Sequence, residues 1–200
     1  MNDYNPLADI VGSTDIYLID QIMKGRYRQT DTVLDAGCGS GRNLHWFVRN
    51  DIQVYGVDGN EEALHRAKNN YPSMGDNRLQ HAPVEELPFP DEYFNHVISS
   101  AVLHFAKDIP HFNAMVAEMV RVLRPDGSLF IRITSDIGIE DKVRLIAGGV
   151  YHIPDGSRRF LLTRSLLAET TDKNKLSFLE PLKTVNVDDI RCMSTLVLGK

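Results

Sequence analysis

Cysteine is scarce: Cys38 and Cys192 are the only two in 200 residues, and they stand far apart. That excludes a disulfide framework and a C-x-x-C metal pair, and no other spacing of ligand-type residues suggests a metal. Long apolar runs are also missing. None approaches the ~18 residues of a membrane span, and Met1 to Leu7 are polar, without the apolar core of a secretory signal. No membrane partner is expected, and a reducing cytoplasmic compartment is the expected location. Basic residues are in deficit, with 22 Lys and Arg against 27 Asp and Glu, a net charge of -5 and a pI near 5.8. A phosphate backbone would reward a basic face, so no nucleic-acid partner is expected, although a local basic groove is compatible with this balance. Repeats, low-complexity tracts and linkers are absent, and one domain over residues 1–200 is the expectation. With 42% hydrophobic and 24% charged residues, the composition is globular.

What is present is organised around residues 32–43. Val33 and Leu34 read as the end of a buried strand, closed by Asp35. Gly37, Gly39 and Gly41 make a turn with little side-chain bulk, and a helix pattern with Leu44, Phe47 and Val48 on one face starts at once. A strand, a glycine turn and a helix start bring free backbone N–H groups to one point. The physical reading is a nucleotide-type cofactor site at the carboxyl end of a first parallel strand. The dinucleotide fingerprint G-x-G-x-x-G does not fit, because Arg42 stands where its third glycine belongs. Asp35, two residues before the first glycine, would repel a pyrophosphate and attract an ammonium. The stretch resembles motif I of the class I S-adenosylmethionine (SAM)-dependent methyltransferases, D-x-G-x-G-x-G. An ordinary glycine-rich turn of another α/β protein is the bland alternative.

Taken in order, residues 15–23 form an amphipathic helix pattern with Ile16, Ile19, Ile22 and Met23 on one side. Similar methyltransferases cover the cofactor with such a helix; simple packing on the sheet is the alternative. Residues 53–58 read as the second strand, ending in Asp58, placed to accept from ribose hydroxyls or to cap the helix that follows. That helix carries Glu61 and Glu62 in its first turn and turns Ala63, Leu64 and Ala67 inward. Residues 78–81 are a weak third strand. The segment from Ala82 to Phe94 resembles the family's acid-A-E-x-L-P-F-P-D-x-x-F-D stretch, with Leu87 to Asp91 matching well. Two departures stand out: the acid that pairs with adenine falls on Pro83, and Asn95 follows Phe94 where Asp is usual.

Residues 96–105 read as the fourth strand running into a loop, and S-S-x-V-L-H resembles the small-molecule methyltransferases. His104 is the best-placed titratable group, either a base at neutral pH or a pocket wall. Residues 108–123 form a strong helix, 124–128 a turn and 129–134 the fifth strand. Residues 135–175 lose the strand pattern and read as a loop-plus-helix insertion over the strand ends. Their Lys142, Arg144, Arg158, Arg159 and Arg164 would attract an anionic substrate or form a solvated face. Residues 176–185 and 191–198 read as an antiparallel edge pair, with Cys192 buried.

The resemblance implies a Rossmann-like, doubly wound α/β fold with a seven-stranded, mostly parallel sheet in the order 3-2-1-4-5-7-6. It implies SAM as cofactor, S-adenosylhomocysteine as product, and a small-molecule methyl acceptor. By the same resemblance Asp35, Ala36, Gly37, Cys38, Gly39, Arg42 and Asn43 border the methionine end. Asp58 and Gly59 take the ribose, Val84 and Glu85 the adenine, and Ser99, Ser100 and Ala101 face the sulfonium, with His104 the catalytic candidate. A nicotinamide-dependent oxidoreductase and a SAM-binding module without transfer activity are the rival readings. The oligomeric state is open.

Overall fold

The computed structural model describes residues 6–200, so Met1 to Asn5 of the polar start lie outside the described residues. Two short helices, α1 (Pro6–Val11) and α2 (Ile16–Met23), lead into β1 (Thr32–Ala36). There follow α3 (His45–Arg49), β2 (Gln53–Asp58), α4 (Glu61–Asn70), β3 (Leu79–His81), β4 (Phe94–Ser100) and α5 (Ile109–Val122). β5 (Leu123–Ser135) leads to β6 (Arg144–Ala147), β7 (Val150–His152), β8 (Arg158–Phe160) and α6 (Arg164–Lys173). The chain closes with β9 (Ser177–Phe178), β10 (Lys183–Val187) and β11 (Arg191–Gly199).

The main sheet has the order β3-β2-β1-β4-β5-β11-β10, parallel from β3 to β5 and antiparallel at β11 and β10. This is the expected topology with one strand more, because β9 also pairs with β11. Pro181 lies between β9 and β10, where residues 176–185 suggested one strand. It has no N–H for a ladder. Apolar residues on successive strand positions feed two cores, one on each face. Leu34, Val57, Val97 and Ile131 join one core with Phe112, Val116 and Met119 of α5. Val33, Val54, Ile98 and Phe130 join the other with Leu18, Phe47, Leu64 and Ala67.

Three further expectations are corrected. Ile16 and Met23 of α2 are 68% and 83% exposed, while Leu18 and Gln21 are fully buried. The helix phase is set by its N-cap Asp15, itself buried, whose carboxylate accepts from the Tyr17 N–H. Buried Gln21 is satisfied by Arg26 Nε at 2.6 Å and by the Asp20 carboxylate at 2.9 Å. The helix after the glycine turn does not begin at once; residues 40–44 are turns, and α3 has only five residues. The insertion carries, besides α6, a separate antiparallel sheet of β6, β7 and β8. The turn at residues 124–128 survives as an excursion inside β5, since Leu123 pairs with Phe94 and Ser128 already with His96.

Candidate functional site

β1 pairs with β2 on one side and with β4 on the other, and the connections leave in opposite directions. Such a switch point opens a crevice at the carboxyl ends of the strands. Here the crevice is a cleft of ≈ 620 Å³, within the usual range for small-molecule sites. Among the residues singled out from sequence, Gly37, Cys38, Gly39, Arg42, Asn43, Asp58, Gly59, Val84, Ser100 and Ala101 line it. Ser40, Asn60, Ala63, Val102 and Phe105 complete the wall. Ala36 and Ser99 are buried in their strands, and Asp35 lies behind the loop, 1% exposed. Glu85 does not reach the cleft; its Oε1 is 3.0 Å from His111 Nε2. His104 lies beside the wall, its ring centroid 4.5 Å from that of Phe105.

The turn is held at both ends. The Gly37 and Cys38 N–H groups donate to the Val57 carbonyl at 2.8 and 2.9 Å. Gly37 has φ +87°, and a Cβ there would stand 2.4 Å from Val102 Cγ2, so only glycine fits. Gly39 has φ +55°, and among the described residues nothing lies within 4 Å of its Cβ position, so its backbone faces the cleft it lines. Its N–H donates to Asp58 Oδ2 at 2.7 Å, while Asp58 Oδ1 accepts from Asn60 N–H, also at 2.7 Å. Asn60 in turn caps α4 through the Ala63 N–H. Burial drives the Cys38 thiol far above its ordinary range, so it is no nucleophile at neutral pH.

Asp35 is the electrostatic anomaly. Among the described residues neither carboxylate oxygen has a partner at full hydrogen-bond geometry, and the Asn43 side chain is only a weak neighbour. Burial pushes its carboxyl up to about 7, with the Asp58 charge adding to the rise and Arg42 and Asn43 opposing it. A buried, unpartnered carboxylate beside a ligand-sized cleft suits a cationic ligand.

Sequence reasoning missed Asp15. Its Oδ2 accepts from Ser100 Oγ at 3.1 Å and Arg132 Nη1 at 3.0 Å, and lies 3.5 Å from Arg42 Nη2. Its backbone N–H donates to Asn43 Oδ1 at 3.1 Å. The Arg132 guanidinium also lies 4.9 Å over the Tyr17 ring. The leading segment is thereby bound to the glycine loop, β4 and β5 at once. The Asp that starts the helix pattern was the one local signal, and it reads equally as a plain cap. Next to this hub, Ala101 takes φ +64°, a left-handed conformation uncommon outside Gly and Asn.

His104 Nδ1 meets Thr134 Oγ1 at 3.2 Å. Burial lowers its pKa to about 4, helped by Arg159, Arg191 and Arg132. It is neutral at pH 7. The segment carrying Val84 is fastened to α5: Arg121 donates to the carbonyls of Phe89 and Leu87, and Glu118 accepts from the Leu87 N–H.

Comparison with known proteins fits this geometry. A family model described as a methyltransferase domain matches residues 34–131. The 27-O-demethylrifamycin SV methyltransferase of Amycolatopsis mediterranei is 34% identical over 134 residues, 62% of this chain and 48% of that protein. An uncharacterised methyltransferase of Bacillus subtilis is 34% identical over 109 residues, 54% of this chain and 42% of that protein. The chain thus spans half or less of the length of these curated relatives. A Burkholderia thailandensis 1,6-didemethyltoxoflavin-N1-methyltransferase, solved with bound 1,6-didemethyltoxoflavin and S-adenosylhomocysteine, superposes with a TM-score of 0.71 at 21% identity. That match covers 97% of this chain and 80% of the other, and it shows the shared fold. The motif, the sheet order and the family match agree: over residues 34–131, just under half of the chain, this protein is similar to a methyltransferase domain, and its fold is that of the SAM-dependent methyltransferases it superposes on.

Proposed function

We propose that the cleft holds SAM and that the domain transfers its methyl group to a small-molecule acceptor, leaving S-adenosylhomocysteine. The observation that carries this reading is the unpartnered Asp35 carboxylate behind an open glycine loop. The nearest cation of the cleft wall, Arg42, already faces Asp15. The charge arrangement therefore favours an ammonium over a pyrophosphate, which argues against a nicotinamide cofactor. When bound, SAM supplies an already activated methyl on a sulfonium.

The chain's own residues have to bind, align and exclude water. Asp35 compensates the ammonium. Asp58, with each oxygen already accepting one backbone N–H, offers its remaining lone pairs to the ribose hydroxyls. Val84 gives the adenine an apolar wall, and Pro83 packs near Gly59 without a side-chain acceptor for the adenine amino group. Ser100, Ala101, Val102 and Phe105 form the acceptor end. Alignment alone can supply most of the acceleration, since effective molarities reach roughly 10⁵ M or more. His104 is a wall and hydrogen-bonding group in this scheme, being a weak base at neutral pH.

Among the described residues no helix is long and apolar enough to cross a membrane. A cytoplasmic location is supported by the two free, buried thiols. Work as one domain is supported by Lys24 and Arg26, which join the leading segment to Glu180 near the chain's end. The acidic balance supports an acceptor other than nucleic acid.

Calorimetric titration tests the reading. SAM and S-adenosylhomocysteine should each saturate at micromolar levels, and NADH should not bind. Absence of binding by both adenosyl compounds would overturn it.

A further inference from the structure

The acceptor end of the cleft carries a cluster that cofactor binding leaves unused. Phe105 closes the cleft wall and is nevertheless 62% exposed. The His104 ring meets it edge-on, and the Arg159 guanidinium carbon lies 5.3 Å over its ring. Arg159 is delivered by β8, where its pairing with Tyr151 of β7 fixes its position in the small sheet. Its hydrogen bond is to the Arg158 carbonyl at 2.9 Å, and among the described residues no carboxylate lies within ion-pair distance of it. The neighbouring guanidiniums differ. Arg132 is engaged by Asp15 at 3.0 Å, whereas Arg191 only approaches Asp155 at 3.9 Å.

A half-buried guanidinium without a carboxylate, lying against an exposed aromatic ring, is suited to a flat oxyanion. The guanidinium fork matches two oxygens or one strongly accepting oxygen, and the aromatic ring offers a stacking surface. Burial first, and then the positive field of Arg159, Arg191 and Arg132, keeps the His104 imidazole unprotonated, and that field stabilises an anion placed beside it. A weak base and a receptive cation together fit an acceptor that arrives already ionised.

Resting on the SAM reading above, we propose that the methyl acceptor is a planar aryl oxyanion, stacked on Phe105 and recognised by Arg159. Its ionised oxygen forms the new O–C bond to the sulfonium methyl as the S–C bond breaks. The electron pair of that bond stays on sulfur, which becomes a neutral thioether. No proton leaves the acceptor, so no general base is required.

The test is a binding measurement on protein loaded with S-adenosylhomocysteine. Benzoate, salicylate and 4-nitrophenolate are titrated at pH 8 against the neutral benzamide and benzyl alcohol. The anions should bind at least about tenfold more tightly, the worth of one charge-assisted hydrogen bond. Arg159→Gln should abolish that preference without altering S-adenosylhomocysteine affinity, and Arg159→Lys should keep part of it. Equal binding of anions and neutral compounds, or a preference that persists in Arg159→Gln, would overturn the proposal while leaving the cofactor reading intact. Failure of wild-type protein to bind S-adenosylhomocysteine would instead remove the cofactor reading, and this inference with it.

Discussion

The Gly39 N–H donates to Asp58 Oδ2 at 2.7 Å, so the acid that ends β2 also holds the tip of the glycine loop that follows β1. The ribose assignment of Asp58 and its structural role are therefore coupled. Asp58→Ala removes an acceptor for ligand hydroxyls and frees Gly39 and Asn60 together. Loss of charge-assisted hydrogen bonds of about 1.5–3 kcal/mol each predicts at least about tenfold weaker SAM binding. The cores on the two sheet faces do not involve this half-buried side chain, so the unfolding midpoint should move much less. Titration and thermal melts of the same variant check both halves. An unchanged SAM affinity in a folded variant would remove Asp58 from the cofactor site.

Asp35 gives the site a pH dependence with a definite sign. Its folded-state carboxyl, raised to about 7 from an ordinary 3.8, keeps its proton in the unliganded protein below that pH. A cationic ligand needs the carboxylate, so binding must expel that proton. SAM affinity is predicted to rise as pH goes from 6 to 7 and to level off above. Asp35→Asn should bind weakly with a flat profile. Stability follows the linkage rule for a raised group: its contribution is present below the unfolded pKa and is lost as pH rises through the folded value. The unliganded wild type should therefore lose stability between about pH 4 and 7 relative to Asp35→Asn. Calorimetry in buffers of different ionisation enthalpy reads the released proton directly, and no release near pH 6 would contradict the assignment.

How far the sequence reveals this site depends on how local each feature is. The glycine turn after β1 and the acid that ends β2 are legible from local pattern, and the Leu87 to Asp91 segment from its resemblance to the family's stretch. The sheet order came from family resemblance, and the paired strands reproduce it. The α2 face was misread because apolar spacing says nothing of which side a buried cap will turn inward. Ile16 and Met23 were sacrificed to exposure so that Asp15 could reach Arg132 and Ser100. The small sheet escaped notice because β6 is exposed throughout and β7 and β8 have three residues each, too few for a period-two pattern. Phe105 and Arg159 are 54 positions apart, and nothing in the local sequence links them.

Asp15 is the test of the leading segment. Its side chain is 2% exposed and faces two arginines and a serine hydroxyl. Removing one partner of a buried ion pair strands the other charge, at a typical cost of about 3–5 kcal/mol. Because Arg132 and Arg42 retain some solvent contact, about 2–3 kcal/mol is expected for Asp15→Ala. The same change should loosen α2 from the glycine loop and weaken SAM binding. Denaturant midpoints give the stability, and proteolysis near residues 12–25 gives the loosening. A variant as stable and as protease-resistant as wild type would show that the hub is dispensable.

His104 separates base catalysis from alignment. Its pKa of about 4 arises first from burial and then from Arg159, Arg191 and Arg132, and Nδ1 is occupied by Thr134. A base so weak gives no inflection between pH 6 and 8, because its protonation state does not change there. His104→Ala is therefore expected to slow transfer through lost packing against Phe105 while leaving SAM affinity unchanged. The kcat–pH profile should keep its shape, scaled down across the range. If instead wild type shows an inflection near pH 6.5 that His104→Ala abolishes, the imidazole takes a proton in the reaction. The surrounding arginines would then have to move away from it when the acceptor binds.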